Sequence, residues 1–311
     1  MNGRTLATAT LIFILVAAIF LVGVAKPQTP RQRVFIRSDG SVEPASAPIS
    51  RNGDVYSFTG DVYSEFVIER SGIVVDGAGC TLHGPYNGTR ENLWVIGEGS
   101  DQVSGGTQIP YSIGVDISAG ASDLTIMNLN IKNFSIGIYI WTTNNNFIGN
   151  SVDECVVGVL LSGSENNVTK NYLTTNEVGL FFGTNEPGTV PLNLTVSHNS
   201  FHNNIRQLGG CLCEGQVNAS EPIHTWDDGK EGNYWSDYNG SDLNKDGIGD
   251  TPYVFDVQNE DRYPLMTSPV TPPIIAFPNL VVAEILVLVA VAIVVAVSVG
   301  VWRAKRKKKE S

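Results

Sequence analysis

Three glycines, Gly137, Gly158 and Gly179, open the segments GIYI, GVLL and GLFF at a spacing of 21 residues. Ile126, Phe147 and Val168 keep the same step, as do Ile131, Val152 and Leu173. The next unit carries a seven-residue insertion around GTNEPGTVPL and resumes at Val196 and Phe201. An earlier unit, GVDI at Gly114, lies 23 residues before Gly137. A fixed period of this size, made of short β-rich pieces broken by Asn and Gly, is the signature of a solenoid. Leucine-rich repeats have a similar period, but the Leu frame they need is missing. Val, Ile and Phe between Asn turns predict an all-β fold, a right-handed parallel β-helix with ~21-residue coils stacked at ~4.8 Å.

Stacking turns equivalent positions into columns. Asn150, Asn171 and Asn199 form one, a predicted ladder of side-chain amides at a corner. Val115, Ile138, Val159 and Leu180 form an inward column, and Ile117, Ile140, Leu161 and Phe182 a second. Alternation along a strand sends the residues between them outward: Asp116, Tyr139, Leu160 and Phe181, with Trp141 alongside. Such a strip can stack on sugar rings or dock another protein, or another part of the chain can cover it. A polysaccharide-cleaving enzyme needs clustered carboxylates, or a carboxylate and a base. The outward column offers one, Asp116. Asp153 and Glu154 are adjacent and diverge in a strand, while Glu165 and Glu177 fall at different corners of one coil.

Both ends of the 311-residue chain are apolar. Arg4, then the run Leu11 to Val24, then Gly23 and Ala25 predict a secretory signal over residues 1–25, cleaved after Ala25 or retained as an anchor. Leu280 to Val301 is long enough to span a bilayer, and RAKRKKK follows it. That basic tail places the C-terminus inside and the bulk of the chain outside. The expected order is therefore a linker over 26–50, a β-helix over 51–225, a cap over 226–266, a Pro-rich linker over 267–279, a membrane helix over 280–302 and a cytoplasmic tail over 303–311. Lys26 to Asn279 carries 13 Lys and Arg against 29 Asp and Glu, a net charge of −16. That field repels nucleic acid and anionic lipid and favours divalent cations. Six N-x-S/T sequons, at Asn87, Asn133, Asn167, Asn193, Asn218 and Asn239, fit an exported, glycosylated surface. Cys80, Cys155, Cys211 and Cys213 can pair outside the cell, although the two-residue spacing of the last two strains a mutual bridge.

Asn233 to Tyr253 concentrates oxygen donors. In DLNKDGIGD, Asp242, Asn244, Asp246, Gly247, the Ile248 carbonyl and Asp250 occupy places 1, 3, 5, 6, 7 and 9 of a calcium loop. Tyr253 stands at place 12, so Asp237, Asp256 or Asp261 is expected to complete the shell around a structural Ca²⁺. Tyr234, Trp235 and Tyr238, joined by Trp226, are expected to cap the last coil.

WDDGKEGNYWSDYNGSDLNKDGIGDTPY with DRYPLM, and YSFTGDVYSEFVIERSGIVVDGAGCTLHG, resemble the last and first segments of archaeal NosD-like β-helix surface proteins. The resemblance covers roughly Arg51 to Met266. It implies a right-handed β-helix of the kind named for carbohydrate-binding proteins and sugar hydrolases. IIAFPNLVV is also similar to archaeal sorting tails, from which Ala276 and Phe277 depart. NosD's link to copper transfers poorly, because copper favours His, Met and Cys. Here His198, His202, Cys211 and Cys213 would be the candidates, while His83 and His224 have no evident partners. The leading expectation is a membrane-anchored surface module that binds glycan or envelope polymer. A polysaccharide lyase or hydrolase, a structural envelope protein and a copper-handling protein are the alternatives.

Overall fold

The computed structural model describes residues 33–85, 112–118, 120–183, 191–210, 224–256 and 258–270. The predicted signal, membrane helix and basic tail lie outside them. The described residues belong to a unit that ends at Val270. Among them there is no helix, and none long and apolar enough to cross a membrane.

The chain winds repeatedly through three sheets. Thr125–Met127, Asn146–Ile148, Asn167–Thr169 and Thr195–Ser197 lie in sheet B. Asn130–Lys132, Ser151–Asp153, Tyr172–Thr174 and Ser200–His202 lie in sheet C. Ile113–Ile117, Ile136–Ile140, Val157–Leu161, Val178–Phe182 and Arg206–Gly210 lie in sheet A. Successive strands pair in parallel and in the expected register: Ile126, Phe147 and Val168 are partners, as are Ile131, Val152 and Leu173. Both predicted inward columns are paired and buried. The seven-residue insertion leaves the register intact, since Val196 and Phe201 pair with Val168 and Leu173.

Short strands cannot turn a corner without a backbone reversal, and one residue at each corner supplies it. Asp123, Asn144, Glu165 and Asn193 form one column with positive φ. Asn128, Gly149, Lys170 and His198 form a second, and Asn133, Glu154, Thr175 and Asn203 a third. The left-handed region suits Asn and Gly and costs other residues more. The residue following each of these points inward. At the B-to-C corner it is Asn150, Asn171, Asn199 and then Asn233. The backbone N–H and side-chain Nδ2 of each donate to Oδ1 of the next, at 2.9–3.1 Å. The second Nδ2 hydrogen reaches a strand carbonyl of the preceding coil: Ile126, Phe147, Val168 and Val196 in turn.

Two further ladders stand at the other corners. Asn145 donates to Asn166 at one, and Asn176 to Asn204 at the other. All these amides are buried, and each satisfies a corner N–H that the sheets cannot reach.

The expected linker over 26–50 is corrected in its described part. Val34–Ile36 pairs with Phe66–Ile68, and Val34 and Ile36 are buried in the core. Val42–Glu43 and Ile49–Asn52 add antiparallel strands that close the edges of sheets A and B. Three apolar residues between Arg33 and Arg37 are too short a signal for the sequence pattern to register.

Asn171 meets four residues with its side chain, Asn150, Phe147, Thr169 and Asn199, so its loss strands several buried polar groups. Each stranded group costs about 1–3 kcal/mol. Asn171→Ala should lower stability by about 3 kcal/mol or more, whereas Thr169→Ala on the outer face of the same coil should stay within about 0.5 kcal/mol. Chemical denaturation of the two variants checks this.

Candidate functional site

The outward column exists as a register of neighbours: Asp116, Tyr139, Leu160 and Phe181 are consecutive partners in sheet A. It is not an open strip along its length. Leu160 is 8% exposed and joins Ile113, Ile136 and Val157 in an apolar cluster outside the solenoid core, with Tyr139 and Phe181 packed against it. Asp116 is half-buried, and its carboxylate accepts the Ser118 N–H at 2.9 Å. Trp141, at 39% exposure, is the exposed member, and its ring meets Tyr139 edge-to-face at 5.7 Å. Alternation gave the direction of these side chains but not their cover.

The acids do not converge. Asp153 projects from sheet C, 3.4 Å from Lys132 Nζ, and accepts a hydrogen bond from Thr175. Glu154 and Glu165 sit at different corners, both exposed. Glu177 follows the buried ladder residue Asn176. Among the described residues, no group of three or more His, Cys, Asp or Glu side chains is arranged to hold a metal ion. His198 lies beside Asp228 and Glu231 at 3.5 and 3.8 Å, whereas His202 is stacked between Tyr172 and Tyr234. Cys211 and Cys213 lie outside the described residues, as do Asn87 and Asn218.

The oxygen-rich loop folds its donors inward around backbone N–H groups. Asp242 accepts from Asp246 and Gly247, Asp246 from Ile248, and Asp250 from Leu243, at 2.7–3.2 Å. Asn244 Oδ1 also accepts from the Asp246 N–H at 3.1 Å. Lys245 and Gly247 take positive φ, which makes the tight turn. The Asn244 amide donates to Asp246 Oδ2 at 2.9 Å, so the donors of the loop are tied to one another as well as to its backbone. The three acids expected to complete the shell are engaged elsewhere. Asp237 accepts from the Tyr253 hydroxyl, Asp256 from Gln258 and Asn259 N–H groups, and Asp261 is buried in the cap.

The cap stacks rings directly on the last coil. Trp235 lies on Phe201 at 4.3 Å, and Tyr253 lies on Trp235 at 4.6 Å, each near-parallel. Trp226 meets Phe255 at 4.2 Å and Phe182 at 5.9 Å.

Two titratable groups end the ladders here. Asp261 takes the rung after Asn233, accepting the Asn233 N–H at 2.7 Å, Trp235 Nε1–H at 2.8 Å and the Tyr263 N–H at 3.1 Å. Burial pushes its carboxyl up to about 6, against the pull of those donors. His224 stands after Leu194, whose N–H approaches His224 Nδ1 at 3.4 Å. The His224 N–H in turn donates to Asn259 Oδ1. Burial lowers the imidazole to about 4, with the Asp256 charge opposing, and keeps Nδ1 an acceptor. Neither role was visible in the sequence, because neither residue is an Asn in the repeat frame.

No protein-family model matches the chain, and no curated protein or solved structure matches it.

The two cap groups respond to acid in opposite senses. Below about pH 6.5 the unfolded chain protonates His224 before the folded chain does, so acidification to about 4 costs stability. Below about 6 the folded chain protonates Asp261 first, so acidification toward 3.8 adds stability. Each term is about 3 kcal/mol at full extent, and over their common range they offset. Asp261→Asn removes one term. Its thermal midpoint should fall more steeply between pH 7 and pH 4.5 than that of the unaltered chain, as read by circular dichroism.

Proposed function

We propose that this chain is a membrane-anchored, surface-displayed right-handed β-helix that binds glycan or envelope polymer. The observation that carries the reading is the Tyr139–Trp141 pair: an exposed indole set edge-to-face on a ring held in strand register. A rigid ring pair on a flat sheet offers a stacking platform for a sugar at little conformational cost. Asp116, Leu160 and Phe181 continue the same strand register on either side of Tyr139. The apolar C-terminal run with its basic tail and the acidic intervening region support display outside a membrane. The dispersal of Asp153, Glu154 and Glu165 supports binding over cleavage.

Trp141→Ala, with Tyr139 retained, should abolish retardation in affinity gels containing neutral or acidic polysaccharide, while the thermal midpoint stays unchanged. Retardation that survives the substitution, or none with the unaltered chain across a broad polysaccharide panel, counts against the reading.

In the same reading Ca²⁺ joins the cap loop through Asp242, Asn244, Asp246, the Ile248 carbonyl and Asp250. With no acid at place 12 and the neighbouring carboxylates committed elsewhere, affinity falls in the weak range, about 10⁻⁴–10⁻³ M. Calcium at tenfold above Kd should raise stability by about 1.4 kcal/mol. EDTA should remove that increment, and Asp246→Ala should abolish the calcium-dependent part of the midpoint. A midpoint indifferent to calcium removes the ion from the account.

A further inference from the structure

The four sequons within the described residues are not equivalent acceptors. Asn167 lies inside a strand of sheet B, paired on both sides by the strands Asn146–Ile148 and Thr195–Ser197. Its Nδ2 donates to Asn146 Oδ1 at 3.4 Å, and its Oδ1 is shut off from solvent. Asn133 is a half-buried corner residue, and the hydroxyl of its sequon is engaged. Ser135 Oγ lies 3.2 Å from the Ser112 N–H and 3.4 Å from the Ser112 hydroxyl.

The other two asparagines are exposed, and the half-buried Thr195 of the Asn193 sequon lies on a strand paired with Asn167–Thr169. Asn193 sits at the A-to-B corner with φ +51, where the left-handed backbone lifts an exposed side chain off the sheet. Asn239 is exposed in the cap, between Tyr238 and the oxygen-rich loop, outside any strand. Among the described residues, neither amide and neither sequon hydroxyl (Thr195, Ser241) makes a side-chain hydrogen bond.

We infer that the folded chain accepts asparagine-linked glycan at Asn193 and Asn239 and refuses it at Asn133 and Asn167. Transfer requires a free amide Nδ2 and an approachable Ser or Thr two residues on. The donor is a lipid-linked pyrophosphoryl oligosaccharide. A bond forms between Asn Nδ2 and the sugar C1, and the bond from C1 to the phosphate oxygen breaks. The lipid pyrophosphate leaves with that electron pair, and one amide proton passes to solvent. At Asn167 the backbone is fixed by strands on both sides, Oδ1 is buried and Nδ2 is turned to Asn146, so the side chain cannot swing out into an acceptor pose without breaking that local packing.

Its occurrence in the cell rests on the export reading, but the chemistry does not. The test is in vitro transfer: folded full-length chain in detergent, an oligosaccharyltransferase and lipid-linked oligosaccharide, read by glycopeptide mass spectrometry. Synthetic peptides spanning the four sequons serve as unfolded acceptors. The expected result is modification of all four peptides but, in the folded chain, a glycan mass at Asn193 and Asn239 and none at Asn133 and Asn167. Comparable occupancy of Asn133 or Asn167 in the folded chain overturns the inference. So does an unmodified Asn193 or Asn239 when its peptide is modified. Normal transfer in vitro with no glycan on chain expressed in an exporting, glycosylating host would instead remove the export reading alone.

Discussion

The structure depends on how a corner satisfies its backbone. Each coil turns three times, and each turn takes N–H groups out of the sheets. An Asn pointing inward accepts the corner N–H of the coil before it and returns its own amide hydrogens to the next Asn and to a strand carbonyl. Few other side chains can both donate twice and accept twice at that length. The bond runs between coils, not within one, so a coil is complete only when its neighbour is present. That makes the solenoid cooperative along its axis and explains why the ladders are buried while the residue before each of them is free to vary.

A ladder with direction needs different chemistry at its two ends. The B-to-C ladder starts where the Leu129 N–H donates to Asn150, so its first donor is plain backbone. It finishes on Asp261, a carboxylate that only accepts when ionised and needs no further acceptor of its own. The ring stack of Phe201, Trp235 and Tyr253 closes the apolar core beside that terminus. Trp235 serves both functions, since its indole N–H also binds Asp261. Cap and ladder are therefore one device. At the other end, antiparallel strands over 42–52 end two sheets without presenting a parallel edge.

Period and inward columns were legible because they depend only on alternation and spacing. One ladder was legible because Asn recurs there without interruption. The other two are broken in sequence but not in space: Leu124 and Leu194 flank Asn145 and Asn166, and Phe134 and Cys155 precede Asn176 and Asn204. A rung with an apolar side chain still presents its backbone N–H, as Cys155 does to Asn176. The candidate strip was legible as a direction only. Cover depends on what packs from outside, and Leu160 shows that a residue can face away from the core and still be buried. Spacing within the oxygen-rich loop carries its tight turn, which Gly247 makes with a positive φ. The commitments of Asp237, Asp256 and Asp261 follow from tertiary neighbours that spacing does not encode.

This division between inside and outside bears on function. Asn ladders and inward columns fix the fold through residues that solvent never meets, so the outer residues carry little of its stability. Trp141 belongs to that outer set, and so do the accessible corner Asn193 and the cap residue Asn239, whereas Tyr139 also packs against the outer apolar cluster. A chain built this way can alter what its faces touch without altering how its coils stack. Binding should therefore be separable from folding here, in a way it would not be for a site lined by the core itself.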